Sequence, residues 1–395
     1  MLFVDVTSSC KSPLNTGVQR VVRALYKALC PIAEVQPLIW DDQLKSYCRL
    51  SAREQAFLSR ANARDFEPAG QPEYAANPWP WSKVQRHFAH RLNRLDLIVK
   101  LGPHDALFVP EIFQDRRVEW LPQLHQRRPG NRRSALFYDA ITLRHPELSP
   151  PSRLHRFDQY MTALASFDQV IAISEASAAD LQAFWKESGV HPTPPVSSHA
   201  LAVERAGERP KPKSSNSRRV LCVSTLEQRK NHLGLLRAAE KLWSDGLSFE
   251  LELIGRTTRD WGHRVTAEID RLATAGRTVR WHKHVDEGAL AEAYANCRFT
   301  VFPSIVEGFG LPIIESLWHS KPCICGKRGA IAETARGGGC RLIDVTNNEE
   351  LAAAMRELLT DDAALARLSN EAAARHFPTW SEFVEQIRPE ILDQR

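Results

Sequence analysis

No run of about 18 consecutive apolar residues occurs in this chain of 395 residues, so no stretch reads as a bilayer-spanning helix. The first residues, Met1 to Thr7, read as one strand and lack the longer apolar core of a signal peptide. The expectation is a cytoplasmic protein, soluble or held peripherally on the inner face of the plasma membrane. Paired CxxC spacing is absent among the eight cysteines, at positions 10, 30, 48, 222, 297, 323, 325 and 340, which read as reduced core thiols. The fourteen histidines include no HExxH, so a protein-held metal is not expected. Charge of one sign is scarce: 52 Lys and Arg stand against 47 Asp and Glu, a net +5, and no nucleic-acid partner is expected. No internal repeat of solenoid period is visible.

What is present is an alternation of short apolar runs with amphipathic stretches, the pattern of parallel sheets wound by helices, in a chain long enough for two cores. The first half reads as strands Leu2–Val6, Val35–Ile39, Ala106–Pro110, Ala135–Tyr138 and Val170–Ile173. Its helices read as Val18–Cys30, Ser152–Ser166 and Glu175–Ser188. Between Asp41 and Asn93 the pattern fails, and Pro78-Trp79-Pro80-Trp81 argues for an irregular or lid-like insert. A segment rich in Pro, Lys and Ser, 204–218, reads as a linker. Beyond it, strands Val220–Ser224, Phe249–Ile254, Val279–Trp281, Phe299–Phe302, Pro322–Cys325 and Arg341–Val345 imply a second doubly wound domain. The expected organisation is an N-terminal domain over 1–203, the linker, a C-terminal domain over 219–375 and a last amphipathic segment over 376–395.

The densest chemistry lies in Glu307-Gly308-Phe309-Gly310-Leu311-Pro312-Ile313-Ile314-Glu315, directly after the apolar run Phe299–Phe302. Pro312, followed by Ile313, Ile314, Leu317 and Trp318, reads as the start of a helix with one apolar face. Backbone N–H groups at that start, unshielded beside Gly308 and Gly310, suit a diphosphate. Glu315 is then placed to chelate a ribose diol and Glu307 to reach a sugar. The same residues also fit a glycine-rich turn that packs a helix and leaves two glutamates in solvent. Upstream, Val220–Ser224 is followed by Thr225-Leu226-Glu227-Gln228-Arg229-Lys230-Asn231-His232. Two adjacent cations at the carboxyl end of a strand complement a diphosphate, Arg229 through its fork and Lys230 as a point charge.

These segments, with Leu253-Ile254-Gly255 between them, resemble the donor half of the retaining glycosyltransferases of family 4, which have the GT-B fold. The N-terminal half agrees in order and spacing through Asp5-Val6-Thr7, Thr16-Gly17-Val18-Gln19-Arg20-Val21-Val22-Arg23, Phe137 to Glu147, and Ile171 to Ser177. In these it is similar to a bacterial branch of mannosyl- and rhamnosyltransferases of O-antigen, capsule and exopolysaccharide assembly. The resemblance implies two Rossmann-like domains facing a cleft, a last helix crossing back to the first domain, and a metal-independent transfer of a hexose from a nucleotide sugar with retention. No cofactor beyond the donor is implied, and a GDP sugar is favoured over a UDP sugar. Arg229, Lys230 and the turn at Gly308 and Gly310 would take the departing diphosphate; Glu307 and Asp139 would meet sugar or acceptor hydroxyls. Gly17 would approach the donor phosphate or the acceptor, Phe309, Leu311 and Gly255 would belong to the donor-binding set, and Val285, with Asp286, would fall where relatives contact the base.

Each assignment has a plainer counterpart. Gly17 is also expected as a simple turn glycine, Asp139 as a cap, and Ser174 and Glu175 as a helix start. Tyr138 stands where the family often has a histidine, and Thr225 where many relatives have an arginine. The positive excess lies in the N-terminal half, at Arg116, Arg117, Arg127, Arg128, Arg132 and Arg133 near Trp120 and Leu121. It reads as a basic patch for an anionic membrane surface or for a glycan or lipid-linked acceptor carrying a diphosphate, or as a solvated surface. A nucleotide-sugar epimerase, a phosphorylase and a non-catalytic partner share the paired-domain architecture and remain open as alternatives.

Overall fold

The computed structural model describes residues 1–11, 17–59, 94–127, 130–149, 154, 156–203, 209, 217–258 and 260–392. Pro78 to Trp81, most of the 204–218 linker, Thr16, Arg128 and the start of the expected Ser152–Ser166 helix lie outside these residues.

Two sheets carry the fold. The first runs in the order β3-β2-β1-β4-β5-β6-β7, with β1 Leu2–Asp5, β2 Val35–Asp41, β3 Ser46–Arg49, β4 Ala106–Val109, β5 Arg132–Phe137, β6 Gln169–Ala172 and β7 Val196–Ser198. All its pairings are parallel except β2 with β3, where Leu38 faces Arg49. The second runs β10-β9-β8-β11-β12-β13, all parallel, with β8 Arg219–Val223, β9 Glu250–Ile254, β10 Val279–His282, β11 Phe299–Phe302, β12 Cys323–Gly326 and β13 Cys340–Ile343. The central strands are apolar runs buried on both faces, such as Phe299-Thr300-Val301-Phe302, because helices cover each side of a parallel sheet.

The apolar runs of the sequence recur as strands with ends shifted by a few residues. Differences fall where polarity hides the element. Asp41 to Ser59 is ordered rather than irregular: it holds the end of β2, the antiparallel edge strand β3 and a helix over Ala52–Ser59. Of the stretch read as a basic surface, Arg117–Arg127 is a helix and Arg132 and Arg133 open β5.

Several of these arginines are paired inside the fold. Arg117 is buried and pairs with Asp5 at 2.6 Å and Asp115 at 2.7 Å, and Arg133 is buried against Asp168 at 2.9 Å. Arg132 donates to the Glu390 carbonyl at 3.0 Å. Trp120 packs on Trp40 and Tyr47, with ring centroids 5.0 and 5.5 Å apart, and Leu121 is core. Arg116 is exposed, and the side chains of Arg127 and Arg128 lie outside the described residues.

The last helix, Trp380–Leu392, lies against the first sheet and the Gly17–Leu29 helix. Its Phe383, Val384, Ile387 and Ile391 are fully buried in one apolar cluster with Val4, Val22 and Leu25. Glu390 anchors it by accepting from Gln169 at 3.3 Å and meeting His199 at 2.8 Å. The same cluster continues through Phe377 to Ile313 and Leu317, so one core joins the two sheets.

Candidate active site

In the second sheet, chain direction reverses between β8 and β11: successive strands leave these two neighbours towards opposite edges. In open α/β sheets, ligands bind at the carboxyl ends of such a pair. Arg229 and Lys230 follow β8 in a single 3-10 turn, Gln228–Lys230, and Glu307 follows β11. Ile305 N–H donates to the Arg229 carbonyl at 2.8 Å, locking one loop to the other.

The side chains converge on Glu307. Arg229 Nη1 lies 2.5 Å from Glu307 Oε2, while Glu307 Oε1 is held by Lys230 Nζ and Ser304 Oγ. Arg229 Nη2 pairs with Glu227 at 2.7 Å, and Lys230 Nζ lies 4.9 Å from the centre of the Phe302 ring. Burial alone would raise the Glu307 carboxyl, but Lys230 and Arg229 outweigh it and hold it at about 2. The same burial works against charge on Arg229, yet Glu307 and Glu227 more than offset it and its pKa is raised. On Lys230 burial wins over Glu307 and the pKa is lowered. A carboxylate this acidic stays ionised at neutral pH, so Glu307 is not a proton donor or acceptor there; it aligns two cations whose free faces suit an incoming diphosphate.

The helix after the turn is Leu311–Trp318, capped by Gly310 at φ 117° with Pro312 in its first turn. Glu315 projects from it, but both oxygens are engaged: Oε1 accepts from Arg20 Nη1 at 3.0 Å, and Oε2 from Tyr294 OH at 2.9 Å. A ribose diol must therefore share this carboxylate with, or displace, Arg20. Gly17, at the start of the Arg20 helix, faces Leu311, where a Cβ would lie 3.7 Å from Leu311 Cδ1. Phe309 is buried and its carbonyl accepts from Thr334 Oγ1 at 2.7 Å.

Asp139 belongs to the facing domain. Its Oδ1 accepts from Ile141 N–H at 3.0 Å, two residues on, and its charge also raises the Arg229 pKa across the cleft. Gly308 makes that approach possible: a Cβ there would sit 2.5 Å from the Tyr138 carbonyl oxygen and 2.9 Å from Asp139 Cβ. Tyr138 itself points inward, its hydroxyl donating to the Pro110 carbonyl at 2.8 Å. Gly255 lies against the chain, where a Cβ would sit 2.0 Å from the Ser224 carbonyl oxygen. Val285 packs beside Leu221, Ile254 and Tyr294, and Asp286 caps the following helix by accepting from Ala289 N–H at 2.9 Å.

Residues that sequence reading missed complete the cleft. Arg20 lay inside a quoted segment and Ser304 three positions before Glu307; Tyr294 carried no signal. Ser174 caps the Glu175–Glu187 helix, and Glu333 of the other domain seats its carboxylate on the same helix start, accepting from Glu175 and Ala176 N–H at 2.8 Å each. Arg336 pairs with Glu175 at 3.1 Å beside it. Among the described residues no cluster of three or more His, Cys, Asp or Glu is placed to hold a metal ion, and no helix is long and apolar enough to cross a membrane.

Residues 204–375 match the family model described as glycosyl transferases group 1. The match covers the C-terminal domain, so the chain is similar to that family over this part. Over 343 residues it is 29% identical to the serotype-specific mannosyltransferase WbdA of Escherichia coli, covering 82% of this chain and 38% of that protein. It is 30% identical over 169 residues to the O-antigen chain mannosyltransferase B of Escherichia coli, covering 42% of this chain and 43% of that one. The chain thus spans well under half the length of these relatives. Among solved structures, Anabaena Alr3699/HepE in complex with UDP and glucose superposes with a TM-score of 0.63 at 15% identity over 99% of both chains. Staphylococcus aureus TarM superposes with a TM-score of 0.57 at 13% identity over 74% of this chain and 56% of its own. The chain shares the GT-B fold with these structures.

Proposed function

We propose that this chain is a retaining, metal-independent hexosyltransferase that moves mannose or a deoxyhexose from a GDP sugar to a lipid-linked glycan in bacterial surface polysaccharide synthesis. The observation that carries it is the convergence of Arg229 and Lys230 on ionised Glu307 at the switch point between β8 and β11, with Asp139 facing it across Gly308. As the sugar–phosphate bond breaks, negative charge grows on the diphosphate, and the two cations stabilise it in the position a metal would otherwise take. With Glu307 held near pKa 2, the acceptor hydroxyl's proton passes to the departing phosphate. Kinship with mannosyltransferases supports the choice of sugar.

The test is to incubate the purified chain with GDP-mannose, a GDP-deoxyhexose, UDP-glucose, and ADP and dTDP sugars, with and without EDTA, and to follow donor hydrolysis and nucleotide binding. Turnover of a GDP sugar that is indifferent to EDTA is expected, and Glu315→Gln is expected to weaken nucleotide binding by about tenfold. Hydrolysis of UDP-glucose with no binding of any GDP sugar rejects the donor. Loss of activity on chelation rejects the metal-free mechanism.

A further inference from the structure

We infer that the cleft holds a second anion seat, distinct from the Arg229–Lys230 pair, which takes the phosphate of a phosphate-bearing glycan acceptor. It is a pocket of about 340 Å³ lined by Leu148 from the first domain and, from the second, by Gln228, Arg237, Trp261, Arg264 and Ile305 among others. That volume is at the small end of ligand pockets, roughly 300–1,000 Å³, and suits a phosphate with one saccharide unit. The inference rests on the glycosyltransferase reading above.

The pocket shares a wall with the donor seat. Arg229 and Lys230 turn towards Glu307, while Gln228 of the same 3-10 turn and Ile305, bonded to the Arg229 carbonyl, line the other side. Leu148 closes the pocket from the short helix Pro146–Leu148, which follows directly on the segment that presents Asp139 to the cleft. A molecule lying between Asp139 and this pocket therefore runs along the first domain, on the acceptor side.

Charge decides what it takes. The cations around the donor seat are matched by acids: Arg229 by Glu307 and Glu227, Lys230 by Glu307, Arg20 by Glu315. Arg237 and Arg264 are exposed, and their side chains make neither an ion pair nor a hydrogen bond with other described residues. The acid that feels Arg237, Glu268, is already held in a fork by Arg271 at 2.9 and 2.7 Å. Arg264 stacks on Trp261, its guanidinium carbon 4.6 Å from the ring centre, which fixes its plane and leaves its N–H fork without a partner among these residues. A planar fork and a second guanidinium in one concave site are the donor set for a phosphate or diphosphate.

The test compares two acceptors bearing the same mannose oligosaccharide and alkyl chain, one joined through a diphosphate and one through a neutral glycosidic bond. Replacing both arginines, Arg237→Ala with Arg264→Ala, is expected to raise KM for the diphosphate acceptor by about tenfold or more while KM for the neutral one moves less than about twofold. Equal effects on both acceptors, or none on either, overturn the seat. Calorimetric binding of the diphosphate acceptor without donor separates this from the wider reading. If no sugar is transferred from any donor yet binding still depends on the two arginines, the glycosyltransferase reading fails and the seat stands. If wild type binds both acceptors alike, the seat fails alone. Vesicles of anionic phospholipid without acceptor form the last arm: retention by wild type and release by the double variant would assign the arginines to a lipid headgroup and overturn the acceptor assignment.

Discussion

The two sheets present the same topological feature and use it in opposite ways. In the first sheet the strand order reverses between β1 and β4, and the carboxyl ends there carry Asp5 and Glu111, both fully buried. Asp5 accepts from Thr7 N–H at 3.1 Å, from the Tyr47 hydroxyl at 2.7 Å and from Arg117 at 2.6 Å. Glu111 takes the N–H groups of Ser8 and Ser9, at 2.5 and 2.8 Å, and so holds the chain leading towards Gly17. This crevice is filled by its own side chains. In the second sheet the reversal between β8 and β11 brings up a comparable set of charges, but Arg229 keeps 17% of its side chain exposed and faces another domain. One switch point is closed on itself and serves the fold; the other is left able to exchange partners. Buried charge alone therefore does not mark a ligand site; the proposed site rests instead on charge at the open switch point, aligned by a carboxylate and facing a second domain.

The largest expected effect lies at the closed switch point. Asp5→Asn removes the charge that balances Arg117 in a site without water access, and loss of one partner from a buried pair costs about 3–5 kcal/mol. Denaturant unfolding should show that loss, with activity per folded molecule retained. A change below about 1 kcal/mol would mean the network is relaxed and the contrast between the crevices is false. Next comes Arg229→Ala, which leaves Glu307 paired with Lys230 and Ser304. Turnover is expected to fall about 100- to 1,000-fold, the usual result of removing one preorganised donor, with a much smaller change in unfolding free energy than Asp5→Asn gives. Should stability collapse while activity per folded molecule survives, the second switch point would be structural as well.

The open crevice was legible in the sequence and the closed one was not, for a physical reason. Phe299–Phe302, the glycines after it and Pro312 are local signals of strand, turn and helix start, and the cations and carboxylates of the donor side follow their strands within a few residues. Arg117 is different. Its chief partner, Asp5, lies 112 positions earlier, and sequence shows a charge but not what neutralises it, so Arg117 and Arg133 read as surface. The same limit hid the seating of Glu333 on the Glu175 helix start, 158 positions away, and the pairing of Arg20 with Glu315. Edge strand β3 escaped because its buried residues, Tyr47 and Cys48, sit between polar neighbours with no apolar run.

Acid should separate the two crevices by sign. His232, just after Lys230, faces Ser224 Oγ through Nε2 at 3.0 Å, while its buried Nδ1 has no partner among the described residues. Burial, with Lys230 adding to it, lowers its pKa to about 3. A histidine depressed in the fold contributes stability that is present above its ordinary value and is lost as pH falls through the window from 6.5 towards 3. Glu307, held at about 2, acts in the same direction at lower pH. Glu111 has the opposite sign: burial, then Asp5, raises its carboxyl, so it costs stability at neutral pH and protonation relieves that cost. Between about pH 7 and about pH 5.5 the wild-type protein should lose about 1 kcal/mol through His232, and His232→Gln should remove that slope. At lower pH, where the raised Glu111 carboxyl takes up its proton, Glu111→Gln should steepen the acid loss, because the compensating group is gone. A wild-type stability that is flat over this range, or a Glu111→Gln variant less sensitive to acid than wild type, would show that the two crevices do not respond to protons in opposite senses.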